Sequence, residues 1–277
     1  MAKHQPAFVA RPLADLTLEA DLVAMREILP AARAVAGLSG GGIVQFVTLL
    51  PELARAWRKT DGLPVVALQP PQGSDDVSRD LGNALTAAMR AAPGQMASPP
   101  PLGADGPRLQ DLLTPNPPTT GPEAPSFELL DSFDYWTELD PEDEPLAEAA
   151  KNASADLVPT LAVPGLERAY WTKFGEREYL RWSLGVEEEA LLDALARLQA
   201  ERQAGVIPGA KYLGAFRALG LVIPVWDLPA GTGAEDLSEP AAAFRDKLET
   251  ALADTSPLDA NQRRARHGLV ARSLTLR

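Results

Sequence analysis

The chain has 277 residues, a net charge of −12 and no cysteine, which excludes disulfides, thiolate metal sites and thiol nucleophiles and fits a reducing compartment. Hydrophobic residues make up 45% of it, enough for one large domain or two smaller ones. The longest apolar region, Ile43 to Leu50, is broken by Gln45 and Thr48 and falls far short of the ~20 residues that span a bilayer.

No signal-peptide pattern follows Met1, so a cytoplasmic protein without membrane contact is expected. Phe8-Val9-Ala10 is a short strand candidate ended by Pro12. A helix is expected from Leu18 to Leu29, because Leu18, Leu22, Met25 and Leu29 recur at three and four. Thr17 is its candidate N-cap, with Glu19 and Asp21 in the first turn. Gly40-Gly41-Gly42 reads as a turn before a buried strand, Ile43 to Leu50. Pro51 suits the first turn of a helix running through Trp57 and Arg58. Asp61-Gly62 turns into a strand, Leu63 to Leu68. A loop at Pro70-Pro71-Gln72-Gly73 then leads to a helix from Asp76 to Ala91.

The character changes at Pro93. Ten of the 26 prolines lie between Pro93 and Pro125, a density that excludes a regular helix or a central strand. From Leu109 to Ala150 there is no Lys or Arg and there are 11 acids, so the remaining chain carries a net −1. Residues 93–150 therefore read as an acidic, proline-rich linker, with a strand expected at 127–136 and a short helix from Pro145 to Lys151. A neutral body argues against general nucleic-acid binding.

The second half begins with a hairpin, Tyr170 to Phe174 and Arg177 to Leu184, about a turn at Gly175-Glu176. A periodic helix is expected over Glu187 to Ala204, with Leu191, Leu192, Leu195 and Leu198 inward. Lys211 to Leu219 reads as a short helix stopped by Gly220, and Leu221 to Trp226 as a strand. Helices over Pro240 to Ala253 and Asn261 to Val270 follow, then a strand-like end from Ala271 to Leu276.

Two stretches share one order of elements. Trp57 to Leu63 resembles Phe216 to Leu221, Val65 to Leu68 faces Ile223 to Trp226, and Pro71-Gln72-Gly73-Ser74 faces Pro229-Ala230-Gly231-Thr232. The expectation is an α+β fold of two similar αβ lobes, a pseudo-duplication, with an N-terminal lobe at 1–92, the linker at 93–150 and a C-terminal lobe at 151–277. A groove between such lobes is a natural site.

Candidate sites each have a structural alternative. The hairpin concentrates five of the 16 aromatics among basic residues, including Trp171, Lys173, Arg177, Arg181 and Trp182. It reads either as a partner-binding face or as a hairpin with one face in the core. Trp226 and Asp227 precede Gly231-Thr232-Gly233, a strand–loop–helix sequence that invites a phosphate. Yet it lacks Gly-Lys-[Ser/Thr], and Asp236 reads as a helix cap. The run Glu138 to Glu144 lacks the spacing of a calcium loop. Arg263, Arg264 and Arg266, with Arg272 and Arg277, form a basic end that suits an acidic partner or an RNA backbone, or simply a solvated helix face. With only His4 and His267, neither a Ser-His-Asp triad nor a His-rich metal site is expected. No catalytic residue, metal site or cofactor is therefore assigned.

Pro107 to Asp111, Phe133-Asp134-Tyr135-Trp136, Ala169-Tyr170-Trp171, Leu213 to Arg217 and Pro224 to Leu237 together resemble an uncharacterised actinobacterial protein family, over essentially the whole chain. Some members carry a label tying them to the preprotein translocase motor. That motor's zinc motif needs cysteines, so the label is not carried over. The resemblance implies no activity. The reading is a non-enzymatic protein-binding or adaptor protein with an unidentified protein partner. The alternatives are an enzyme or small-ligand protein using the groove, and weak RNA or ribosome association through the arginine end.

Overall fold

The computed structural model describes residues 7–69 and 74–270, and the chain divides into two units, Met1–Leu157 and Val158–Arg277. The fold is mixed α+β, with seven helices and two five-stranded sheets among the described residues. The loop expected at Pro70 to Gly73, the strand expected over Ala271 to Leu276, and Arg272, Arg277 and His4 lie outside those residues.

The first unit opens with α1 (Glu19–Glu27). The N-cap residue is Leu18 rather than Thr17, and no side chain caps it. Residues Phe8 to Ala10 form no strand; Val9 instead donates its N–H to the Asp75 carbonyl. Next come β1 (Ala32–Gly37) and β2 (Ile43–Val47), an antiparallel pair. The sequence reading missed β1, because its inward residues Ala32, Ala34 and Ala36 have little β-propensity. The helix expected after Pro51 is a single 3-10 turn, Pro51–Leu53. Glu52 and Leu53 take φ of 55° and 57°, which no right-handed helix continues. Trp57 and Arg58 lie instead in β3 (Ala56–Arg58), antiparallel to β4 (Pro64–Ala67). Then α2 (Val77–Arg90) starts under the Asp76 cap, whose carboxylate accepts the Arg79 N–H at 3.3 Å.

The proline-rich segment is no free linker. It supplies α3 (Leu109–Leu112), β5 (Ser126–Leu129) and α4 (Glu144–Ser154) to the first unit. Strand β5 adds to β1, giving the order β3-β4-β2-β1-β5. The strand expected over 127–136 stops at Leu129, and Asp134–Trp136 form a 3-10 turn. That turn buries Tyr135 and Trp136 against Val47, Leu50 and Val65. Phe133 stacks on Trp136 at 5.0 Å. The Leu49 carbonyl accepts from the Tyr135 hydroxyl at 2.6 Å and from Trp136 Nε1 at 3.0 Å.

Proline donates no hydrogen bond, so this segment is held through its carbonyls. Arg55 Nη2 donates to the Pro99 and Pro100 carbonyls at 2.8 and 2.5 Å, and Arg79 donates to the Gly106 carbonyl. Asp80 accepts the Gly103 N–H at 2.8 Å. The segment lies so close to α2 that a Cβ on Gly82 would stand 2.2 Å from the Pro107 carbonyl oxygen.

The second unit contains β6 (Thr160–Ala162), β7 (Ala169–Phe174), β8 (Arg177–Trp182), α5 (Glu188–Ala200), β9 (Lys211–Ala218), β10 (Leu221–Leu228), α6 (Ala234–Ala253) and α7 (Ala260–Val270). Its sheet order is β6-β7-β8-β10-β9. The short helix expected at Lys211 to Leu219 is β9: Tyr212, Gly214, Phe216 and Ala218 are buried at alternate positions, with a register shift opposite Val225 and Trp226. Gly220 ends no helix. With Leu219 at φ 49° and Gly220 at φ 85°, the two form the tight turn that suits a β-hairpin's twist. Helix α6 begins at Ala234, six residues before Pro240. The Asp236 carbonyl, which proline leaves without a donor, is on an exposed residue where water reaches it.

The core of this unit is aromatic. Trp226 lies edge-on to Phe244 at 5.5 Å and to Tyr212 at 5.7 Å, and Trp182 lies 6.4 Å from Phe244. Both indoles are satisfied by carbonyls, Trp226 by Ala204 at 2.7 Å and Trp182 by Glu167 at 3.1 Å.

The close approach at Gly82 gives a prediction with a decisive sign. Helix propensity alone makes Gly82→Ala stabilising by about 1 kcal/mol. The clash with the Pro107 carbonyl reverses that, and urea unfolding is expected to show a loss of about 1–3 kcal/mol.

Candidate aromatic-basic docking site

The tight turn at Gly175-Glu176 pairs Phe174 with Arg177 and Thr172 with Tyr179 across the β7–β8 hairpin. Alternation then gives each strand two faces. Trp171, Lys173, Glu178, Leu180 and Trp182 share one face. Tyr170, Thr172, Phe174, Arg177, Tyr179 and Arg181 share the other.

On the first face the side chains close on the protein itself. Trp182 and Trp226 are 2% and 0% exposed, so they pack the core and present nothing to a partner. Glu178 is buried and ties the hairpin to the loop after β10. Its carboxylate accepts from Trp171 Nε1 at 3.0 Å and from the Gly231 N–H at 2.9 Å. Trp171 Nε1 also donates to the Thr232 carbonyl at 2.6 Å, and the Thr232 hydroxyl donates to the Pro229 carbonyl at 2.7 Å. Gly233 donates its N–H to Asp236 at 3.2 Å. The backbone donors an anion would need at Gly231 and Gly233 thus already meet carboxylates. Trp171, Gly231, Thr232 and Gly233 are brought together, and Glu178 is the residue that joins them.

The second face is buried at Tyr170 and Thr172, 1% and 0% exposed, and opens only toward the hairpin tip. Phe174 is 50% exposed at the hairpin tip, with the Tyr179 ring edge-on at 6.2 Å. Arg177 lies over Tyr179 at 5.4 Å and reaches Asp227 at 3.1 Å. Arg181 lies over the Phe174 ring at 5.8 Å. Lys173 is partly buried on the opposite face.

Arg181 differs from the other buried guanidinium groups. Its guanidinium as a whole, half-buried, has no hydrogen bond or ion pair among the described residues; a buried Nε without an acceptor it shares with Arg26, Arg58 and Arg108. Burial pushes its pKa from the usual arginine range down to about 10, since desolvation penalises the charged form. The group still carries its charge at neutral pH. The sequence list of candidates included Arg181 but omitted Phe174 and Tyr179, which the tip turn places beside it.

The arginine end is divided. Arg266 is spent on α5, donating to Asp193 at 2.6 Å and Glu189 at 2.5 Å. Arg263 and Arg264 are exposed, and Arg264 bonds Asn261 at 2.5 Å within its own helix. No helix among the described residues is long and apolar enough to cross a membrane.

The lowered pKa of Arg181 sets a pH dependence. Between the folded value of about 10 and the ordinary arginine value, the unfolded chain binds the extra proton. Stability therefore rises with pH through that window, and the full penalty is present below it. Arg181→Met removes a cost on the order of 2–3 kcal/mol. The variant is expected to unfold at a higher temperature than the wild type at neutral pH, with the gap narrowing as pH climbs above about 10. Glu178→Ala is expected to do the reverse, costing about 1–3 kcal/mol and speeding hydrogen exchange at the Gly231 amide.

A search of curated proteins finds no match, and neither does a search of solved structures. A family model does match, over residues 12–277, and it is described as a family of unknown function, DUF5926. With nearly the whole chain inside that match, the protein is a member of the DUF5926 family.

Proposed function

We propose that the protein is a non-enzymatic binding protein, and that the exposed tip of the β7–β8 hairpin, around Phe174 and Arg177, docks a carboxylate-bearing segment of a partner protein. Arg181 carries this reading. Holding an unpaired cation away from water is costly unless a counter-charge is supplied. A partner carboxylate laid beside Phe174 supplies it. The surroundings fit such an occupant. Phe174 and Tyr179 offer aromatic area, Arg177 adds a second guanidinium, and residues of this kind dominate the energetics of protein interfaces.

The test compares partner capture by the full-length wild type with capture by Phe174→Ala, Arg177→Ala and Arg181→Met. Arg181→Met is expected to bind at least tenfold more weakly while being more stable, a combination that loss of folding cannot produce. Capture by Arg181→Met at wild-type strength would remove the reading.

We also propose that the two units arose by duplication. The matching strand orders, β5-β1-β2-β4-β3 and β6-β7-β8-β10-β9, support it. Two differences have to be accommodated: β2 and β4 run parallel, whereas β8 and β10 run antiparallel, and the edge strand comes last in the first unit's chain order but first in the second's. In this reading the change of direction lies in the second connection, a 3-10 turn in one unit and α5 in the other. A single-unit relative aligning with both halves would establish the origin; single-unit relatives that align with one half only would count against it.

A further inference from the structure

We infer that the first unit holds a second site, a pocket beside β1 that takes a small aromatic amine. The pocket has a volume of about 140 Å³ and lies between the start of α1 and the proline-rich segment. Leu18, Ala36 and Leu113 line its buried part. An apolar cavity of ~150 Å³ holds one benzene-sized ring, so the volume limits the ligand to a single ring. Gln110 braces one wall. Its amide donates to the Pro12 and Ala14 carbonyls at 2.9 Å each, and its carbonyl accepts from Ser78 at 2.6 Å.

The mouth is polar and faces solvent, with Asp15 and Thr17 exposed and Thr114 half-buried. Thr17 and Thr114 both line it, and neither hydroxyl has a hydrogen-bond partner among the described residues. Asp15 stands at the rim with φ 69°, a left-handed conformation that is uncommon outside glycine and recurs at ligand sites. Its charge acts on Arg11, whose guanidinium bonds Glu19 at 2.6 and 2.7 Å. Asp15 itself makes no ion pair among the described residues. A ring in the apolar pocket, with an ammonium group at the mouth, sets that charge among the Asp15 carboxylate and the two threonine hydroxyls. A carboxylate in that position meets Asp15 instead.

The probes are benzylamine, benzyl alcohol and benzoate at millimolar concentration, added to the full-length protein. The readouts are thermal unfolding and the NMR shifts of the Ala36, Thr17 and Thr114 methyl groups. Benzylamine is expected to bind most tightly and benzoate least. Asp15→Asn, which keeps a residue tolerant of the left-handed backbone, is expected to weaken benzylamine about threefold and leave benzyl alcohol unchanged. Thr114→Val is expected to weaken both about fivefold. Ala36→Leu fills the pocket and is expected to abolish binding; should it fail to fold, the other two variants decide. Methyl shifts confined to other residues, or benzoate binding as tightly as benzylamine, would overturn the inference.

Discussion

The first unit depends on arginines that complete a backbone short of donors. A proline contributes a carbonyl and no N–H, so ten prolines in a row of loops would leave acceptors that no ladder can satisfy. Arg55 and Arg79 reach across to those carbonyls, and Arg58 does the same for the last turn of α2, donating to the Met89 carbonyl at 2.6 Å. Once pinned, the segment can bring β5 to the sheet edge and Tyr135 and Trp136 into the core. The Leu49 carbonyl, accepting from both aromatics, marks where the acidic segment and the sheet become one structure.

The second unit uses the converse device. Its loop after β10 has surplus donors, and a buried carboxylate collects them. Glu178 receives the Trp171 indole and the Gly231 amide, which fixes the loop and fills the position an anion would take. This is why a Gly-Thr-Gly sequence between strand and helix does not act as a phosphate cradle. The same strand turns its alternate residues the other way, so the side chains flanking Glu178 belong to the second face.

What the sequence revealed follows from the range of the signals. Helices α2 and α5, strand β4 and the β7–β8 hairpin were legible because a local period, a cap or a two-residue turn defines each. Asp76 before α2 and Gly175 in the hairpin are such marks. β1 and β9 were not legible, because Ala and Gly carry little strand preference and their inward alternation matters only once neighbours are in place. The proline-rich segment was misread for a similar reason. Its anchors are arginines up to 45 positions away in the chain, and no local pattern signals such a bond. The aromatic-basic hairpin stood out in the sequence, but which of its aromatics were core was decided by pairing. Trp182 packs with Phe244, a residue of α6, and only Phe174 is left at the surface.

Buried arginines within this one protein provide the comparison that isolates Arg181. Arg26 is also depressed by burial, yet it donates to the Leu68 carbonyl and pairs with Glu27 at 3.2 Å. Arg55 has two proline carbonyls. Arg197 has Asp254 at 3.1 Å and the Ser256 carbonyl at 2.6 Å. Each cation taken from water is compensated by an acceptor at hydrogen-bond distance, as the cost of desolvation requires. Arg181 has only the face of Phe174, whose attraction for a cation is on the order of 1–2 kcal/mol and smaller than the penalty it offsets. A fold that satisfies its other arginines through proline carbonyls and distant carboxylates does not lack the means to satisfy this one. That contrast is what supports the proposed docking of a partner carboxylate, because local rules are broken in folded proteins chiefly where function requires it.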